Sequence, residues 1–104
     1  MSGTIPRSGK AYEIFVNEYH KHIAYITTVL NAETGIDAEE QQKLSRLFHT
    51  IKGGAGFFGF DVIHKSAGVL EKILKNPDLK FAAEKNEILS IFNELSSYSG
   101  EVKI

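Results

Sequence analysis

From Ala11 onward apolar residues recur three and four apart, the spacing of one face of an α-helix, and no stretch shows the strict alternation of a half-buried strand. Ile14, Phe15, Glu18 and Tyr19 lead into Ile23, Ile26, Val29 and Leu30, which marks a first helix running to about Asn31. Gly35 stops it, and Asp37 stands as the N-cap of a second helix, with Glu39 and Glu40 in the first turn at the positive end of the helix dipole. The second helix carries a stripe of Leu44, Leu47, Phe48, Ile51, Ala55 and Phe58. It ends near Phe58, because Gly59 can take the left-handed conformation that terminates helices. Asp61 caps a third helix with Ile63, Ala67, Leu70 and Leu74 as its stripe, Val62 and Val69 at its margin and Ile73 nearby; Asn76-Pro77 ends it. Asp78 or Leu79 opens a fourth, with Phe81, Ile88, Leu89, Ile91, Phe92 and Leu95 as its apolar face. Four amphipathic helices on short turns predict an all-α, antiparallel up-down-up-down four-helix bundle over residues 11–98. Residues 1–10, with turn-forming composition and no periodicity, read as a disordered arm or a cloning remnant, and residues 99–104 as a frayed C-terminal tail.

Composition narrows the class. At 104 residues, 42% hydrophobic and 24% charged, the chain holds one core and no second domain. A formal net charge of −1 argues against a nucleic-acid binder, which needs a concentrated basic face to gain from counterion release. Without cysteine there is no disulfide framework and no thiolate chemistry, which is compatible with a cytoplasmic home. No apolar run approaches the about 18 residues needed to cross a bilayer, and the N-terminus lacks the apolar core of a signal peptide. The expectation is a soluble, cytoplasmic monomer with no membrane partner.

The chemistry concentrates on the second helix. His49 falls off its apolar stripe and shares a solvent-facing flank with Ser45, Lys52, Gly53 and Gly56. Glycine in a helix costs about 0.8–1 kcal/mol relative to alanine, so Gly53 and Gly56 suggest that bulk is excluded beside the imidazole. An exposed imidazole can act as a nucleophile, a metal ligand or an acid/base group. Lys52, one turn on, brings a cation that suits phosphate and would repel a metal. Phe57 lies toward the same side, where it can contact a partner, and the bare surface at Gly53 permits close approach. His20 and His22 point to different sides of the first helix, poor geometry for a shared metal. Gly54, Gly56 and Gly59 match a dinucleotide-binding pattern only as letters, since a helix and not a strand precedes them. No P-loop is present, so neither nucleotide, metal nor other cofactor is expected.

His49-Thr50-Ile51-Lys52-Gly53-Gly54-Ala55-Gly56, followed by Phe58-Gly59-Phe60, resembles the core of histidine-containing phosphotransfer (HPt) domains. It looks most like the N-terminal phosphoacceptor domain of CheA-type chemotaxis histidine kinases. The resemblance implies a phosphorelay carrier in two-component signalling: His49 accepts a phosphoryl group from a histidine kinase or receiver domain and passes it to a response-regulator aspartate. Its partners would be a receiver domain, which supplies the aspartate and Mg²⁺, and a histidine-kinase catalytic domain. The chain would then be no enzyme on its own. Lys52 supports the phosphoryl group electrostatically. The family's glutamate at this spacing falls on Glu71, where it accepts a hydrogen bond from the other ring nitrogen; from the residues alone, Glu71 is equally a surface carboxylate paired with Lys75. The sequence departs from the family at Gly68, where CheA-type domains commonly carry a histidine, and His64, one turn earlier, is the candidate substitute. The alternative to phosphotransfer is a helical adaptor that binds a partner without chemistry, with His49 incidental.

Overall fold

The computed structural model describes residues 7–104; residues 1–6 of the arm expected over 1–10 lie outside them. Among the described residues the chain forms α1 (Lys10–Leu30), α2 (Ala38–Phe57), α3 (Asp61–Lys75) and α4 (Phe81–Ser97), followed by one 3₁₀ turn at Ser99–Glu101, and no strand. This is the four-helix bundle expected from the periodicity, drawn out to 42 × 23 × 22 Å. None of its helices is long and apolar enough to cross a membrane.

The site depends on the α2–α3 hairpin, the most extensive helix pairing in the molecule. Asp37 starts α2 as expected, its carboxylate accepting the Glu40 N–H at 2.8 Å. At the far end Gly59 has φ +81°, a conformation closed to most L-residues. The Phe60 N–H donates to Ala55 O at 2.8 Å and the Gly59 N–H to Gly56 O at 3.4 Å, the paired bonds of a Schellman stop. Phe60 and Ala55 are both buried beneath it. The chain reverses so tightly that Phe60, not Asp61, is the N-cap of α3; Asp61 is already inside the helix and its side chain caps nothing. The start of α4 is also later than Asp78 or Leu79, because Asn76 bends the chain through its own side chain. Its Oδ1 accepts the Asp78 N–H at 3.0 Å and its carbonyl accepts the Leu79 N–H at 3.1 Å.

The expected stripes of α2 and α3 are in the core: Leu44, Phe48, Ile51, Ala55, Ile63, Ala67, Leu70 and Leu74 are all buried, against Ile88, Phe92 and Leu95 of α4. On α1 Tyr19, Ile26, Val29 and Leu30 are buried as expected, and only the first turns differ from the expected face. There Tyr12 and Val16 point inward, while Ile14 is exposed and Phe15 half-buried. Phe15 instead joins a cluster of rings at the end of the bundle, its centroid 5.2 Å from Phe58 and 5.9 Å from Phe60.

Two expectations about the chain ends are corrected. Residues 99–104 do not fray: Val102 is fully buried, and three polar side chains of α1 hold the segment around it. Tyr12 Oη donates to Lys103 O at 2.7 Å, Tyr19 Oη pairs with Ser99 Oγ at 2.7 Å, and His20 Nε2–H donates to Val102 O at 2.6 Å. Burial pushes the Tyr19 phenol up, so it stays protonated. At the other end Arg7 is packed. Its Nε donates to Phe58 O at 2.9 Å and its Nη2 to Gly59 O at 3.0 Å, while the guanidinium lies 3.8 Å from the Phe60 ring centroid. Arg7 thereby satisfies carbonyls left open at the end of α2.

Neighbouring glycines of α2 have opposite surroundings. A Cβ on Gly54 would lie 2.5 Å from Cδ1 of Phe15, a ring already wedged among other rings, whereas a Cβ on Gly53 would meet nothing within 4 Å. Gly54→Ala is expected to destabilise the bundle by about 1–3 kcal/mol through overpacking. Gly53→Ala is expected to stabilise it by up to about 1 kcal/mol through helix propensity. Urea unfolding of the two variants beside the parent chain measures both signs.

Candidate functional site

The hairpin turn at Gly59 lies nearly midway between His49 and Glu71, so antiparallel α2 and α3 bring the two side by side. His49 Nδ1 lies 2.8 Å from Glu71 Oε2, and Lys52 Nζ lies 2.8 Å from Glu71 Oε1, so each carboxylate oxygen has its own donor. The His49 side chain is 67% exposed, Glu71 12% and Lys52 34%. The Lys52 hydrogen bond holds the Glu71 carboxyl below the usual carboxylate range; partial burial opposes this and the His49 bond assists it. An ionised Glu71 is only an acceptor, so the imidazole donates through Nδ1–H, and the lone pair of the neutral ring sits on Nε2. The arrangement can supply an oriented nucleophilic nitrogen on an open surface, with an anion behind the ring to stabilise positive charge on it.

Other expected site residues are placed differently. Gly53 is open and Phe57 is exposed, its ring edge-on to Phe58 at 5.2 Å. Ser45 is only 9% exposed, so it is not on open surface: it lines a hollow shared with Leu74 and Lys75 of α3. It also lines the floor of a shallow depression bordered by Arg46, His49, Thr50, Glu71 and Lys75. Gly56 is not bare surface either. The His64 ring covers it, with Nδ1 2.7 Å from where a Gly56 Cβ would be, and Nδ1–H donates to Lys52 O at 2.9 Å. His64 thus bonds to the backbone of α2 and does not stand in for a histidine at position 68. The space over Gly68 is taken by the stem of Lys52, whose Cδ lies 3.2 Å from a Cβ built there. Among the described residues no three histidines, aspartates or glutamates come together as a metal site.

One feature escaped the sequence reading: an open, mainly apolar groove between α1 and α2, lined by Ala11, Ile14, Phe15, Thr50, Ile51 and Gly54. Thr50 borders both this groove and the depression that holds His49. The signal was the choice of stripe on α1. Taking Tyr12, Val16 and Tyr19 as the buried face leaves Ile14 outside, opposite the small residues of α2.

Because the Glu71 carboxyl is held below its ordinary range in the folded chain, its stabilising contribution is complete above that range and is lost as pH falls through the depressed value. Glu71→Gln is expected to cost on the order of 1 kcal/mol near neutral pH. That difference should close as pH falls through the ordinary glutamate range and then through the depressed value below it. Urea unfolding of both chains across this range reads it directly; a gap that persists unchanged in acid would show that the charge is not the stabilising feature.

The Hpt domain family model matches residues 10–98. The chain is 33% identical over 58 residues to the chemotaxis protein CheA of Salmonella typhimurium (strain LT2), a match that takes in 56% of this chain and 9% of CheA. No solved structure matches it. With the family match running from the first residue of α1 to the C-cap of α4, the chain belongs to the Hpt domain family, the histidine phosphotransfer modules of two-component signalling.

Proposed function

We propose that His49 is the phosphoacceptor of a phosphorelay, taking a phosphoryl group from a histidine-kinase catalytic domain or a receiver domain and yielding it to a response-regulator aspartate. The observation that carries this reading is the Nδ1–H bond of His49 to an ionised Glu71 while the ring stays open to solvent. The Nε2 lone pair attacks phosphorus in line, the N–P bond forms as the bond from phosphorus to the leaving oxygen breaks, and the donor departs as ADP or as a free aspartate carboxylate. The ring keeps its Nδ1 proton throughout and Glu71 stabilises the positive charge it acquires. In the forward transfer an aspartate oxygen of the partner attacks the phosphorus and His49 leaves as the neutral ring. Magnesium and nucleotide belong to the partners. Lys52 holds Glu71 in place and, being one-third exposed, can also meet the incoming negative charge.

The partner docks over the exposed side of α2, on Gly53 and Phe57 and into the groove between α1 and α2, where Ile14 and Phe15 offer apolar contact. In a longer protein this chain is the phosphoacceptor domain of a chemotaxis-type histidine kinase, by analogy with its likeness to part of CheA.

Incubation with a two-component histidine kinase and labelled ATP tests the reading. Acid-labile, base-stable label is expected on the parent chain and none on His49→Gln. Lys52→Ala and Glu71→Ala are expected to retain the bundle and slow labelling by about 10- to 100-fold, the scale seen when a group orienting a histidine is removed. Label that persists in His49→Gln would overturn the assignment, and no label with any cognate kinase would favour a helical adaptor.

A further inference from the structure

Gly68 sits in the interior of α3 with no backbone reason to be glycine, since it is not among the residues at positive φ. Nor does it make room for the neighbouring helix: the atoms within 4 Å of a Cβ built there are Cδ and Cγ of Lys52, at 3.2 and 4.0 Å, and no backbone atom. Ordinary contact between carbon atoms is about 3.5–4.0 Å, so a methyl group here would push against the lysine stem alone. Lys52 is engaged from α3 at two points. Its backbone carbonyl accepts His64 Nδ1–H at 2.9 Å, and its ammonium reaches Glu71 Oε1 at 2.8 Å, one turn beyond Gly68 on α3. We propose that Gly68 is a positioning residue: its missing side chain forms the channel along which Lys52 crosses from α2 to α3, and so fixes which Glu71 oxygen is left for His49.

The two helices exchange side chains over paired glycines, Lys52 over Gly68 and His64 over Gly56. The first exchange sets the charge. With Oε1 occupied by Lys52, Oε2 alone faces the imidazole at 2.8 Å. The charged groups around this carboxylate are His49 and Lys52 from α2, with Arg46 of α2 and Lys75 of α3 bordering the same depression; neither of the last two forms an ion pair with it. Displacing Lys52 therefore removes the main partner of Glu71 and frees the carboxylate to turn. The effect on transfer rests on the reading of His49 as phosphoacceptor; the effect on Glu71 does not.

The test is a cycle of Gly68→Ala, Lys52→Met and the double variant, with the Glu71 carboxyl titrated by carbon NMR. Gly68→Ala should raise its midpoint toward the ordinary glutamate range, Lys52→Met should do the same, and adding Gly68→Ala to Lys52→Met should change nothing further. Helicity by circular dichroism should be kept in all three, because alanine favours a helix over glycine. Labelling of His49 should slow in Gly68→Ala by about three- to tenfold, below the loss from removing an orienting group outright. An unmoved Glu71 midpoint in Gly68→Ala, or an equal shift with and without the lysine, would overturn the positioning role, even if phosphotransfer proceeds. A shifted midpoint in a chain that takes no label would keep the role and remove the phosphoacceptor reading.

Discussion

A carboxylate cut off from most water is a charge that the fold must answer, and Glu71 is such a charge. It is 12% exposed, and both of its oxygens are satisfied from the opposite helix, one by an ammonium and one by an imidazole N–H. Those bonds require α2 and α3 to lie antiparallel and in one register. Both conditions are set at Gly59, whose left-handed backbone closes the hairpin with no spare residue. A longer connection would tolerate a slip of one residue, and a slip of one residue moves a helical side chain by about 100° around its axis. Glu71 would then face away from His49. The tight turn and the charge triad are in this sense one constraint.

The triad divides the imidazole into a held side and a free side. Nδ1 is engaged by an anion that Lys52 keeps ionised, so the ring carries its proton inward and presents Nε2 outward. A lysine bound to Glu71 is a different tool from a lysine waiting beside the histidine. Its charge is partly neutralised at rest, which limits how strongly the site attracts adventitious anions. It also adds stiffness, because a long and flexible side chain is tied at its tip by Glu71.

How much of this was legible in the sequence depended on where the determining contact lies. The stripes of α2 and α3, the Asp37 cap and the Gly59 stop could be read because each is decided within one helix, by period or by a single cap. The inward face of the first turns of α1 could not, since Ile14 and Phe15 compete with Tyr12 and Val16 for it. A wheel that ranks isoleucine above tyrosine selects the wrong pair when the tyrosine hydroxyl has a partner, here Lys103 O. The docking of residues 99–104 was hidden for the same reason, as its polar anchors Tyr12, Tyr19 and His20 lie some 80 residues away in sequence. At the site, His49, Lys52, Gly53 and Phe57 lie where a wheel of α2 alone puts them. Ser45 and Gly56 do not, because what covers them comes from α3, and a departure such as Gly68 could be seen in the letters but not interpreted.

That last point changes what a glycine on a functional helix means. Bare helix surface at Gly53 leaves space for something outside the molecule, whereas the gaps at Gly54, Gly56 and Gly68 are filled from within, by Phe15, His64 and Lys52. Three of the four therefore join elements together, and only one lowers the surface beside His49. Helix propensity sacrificed along α2 and α3 is recovered as close packing of α1 on one side and as a fixed lysine on the other. The apolar groove follows from the same choice. Phe15 lies across Gly54, between α1 and α2, and Ile14 and Thr50 are left as walls of the open channel alongside it. The small residues that rigidify the inside of the site thus also shape the surface that a partner meets.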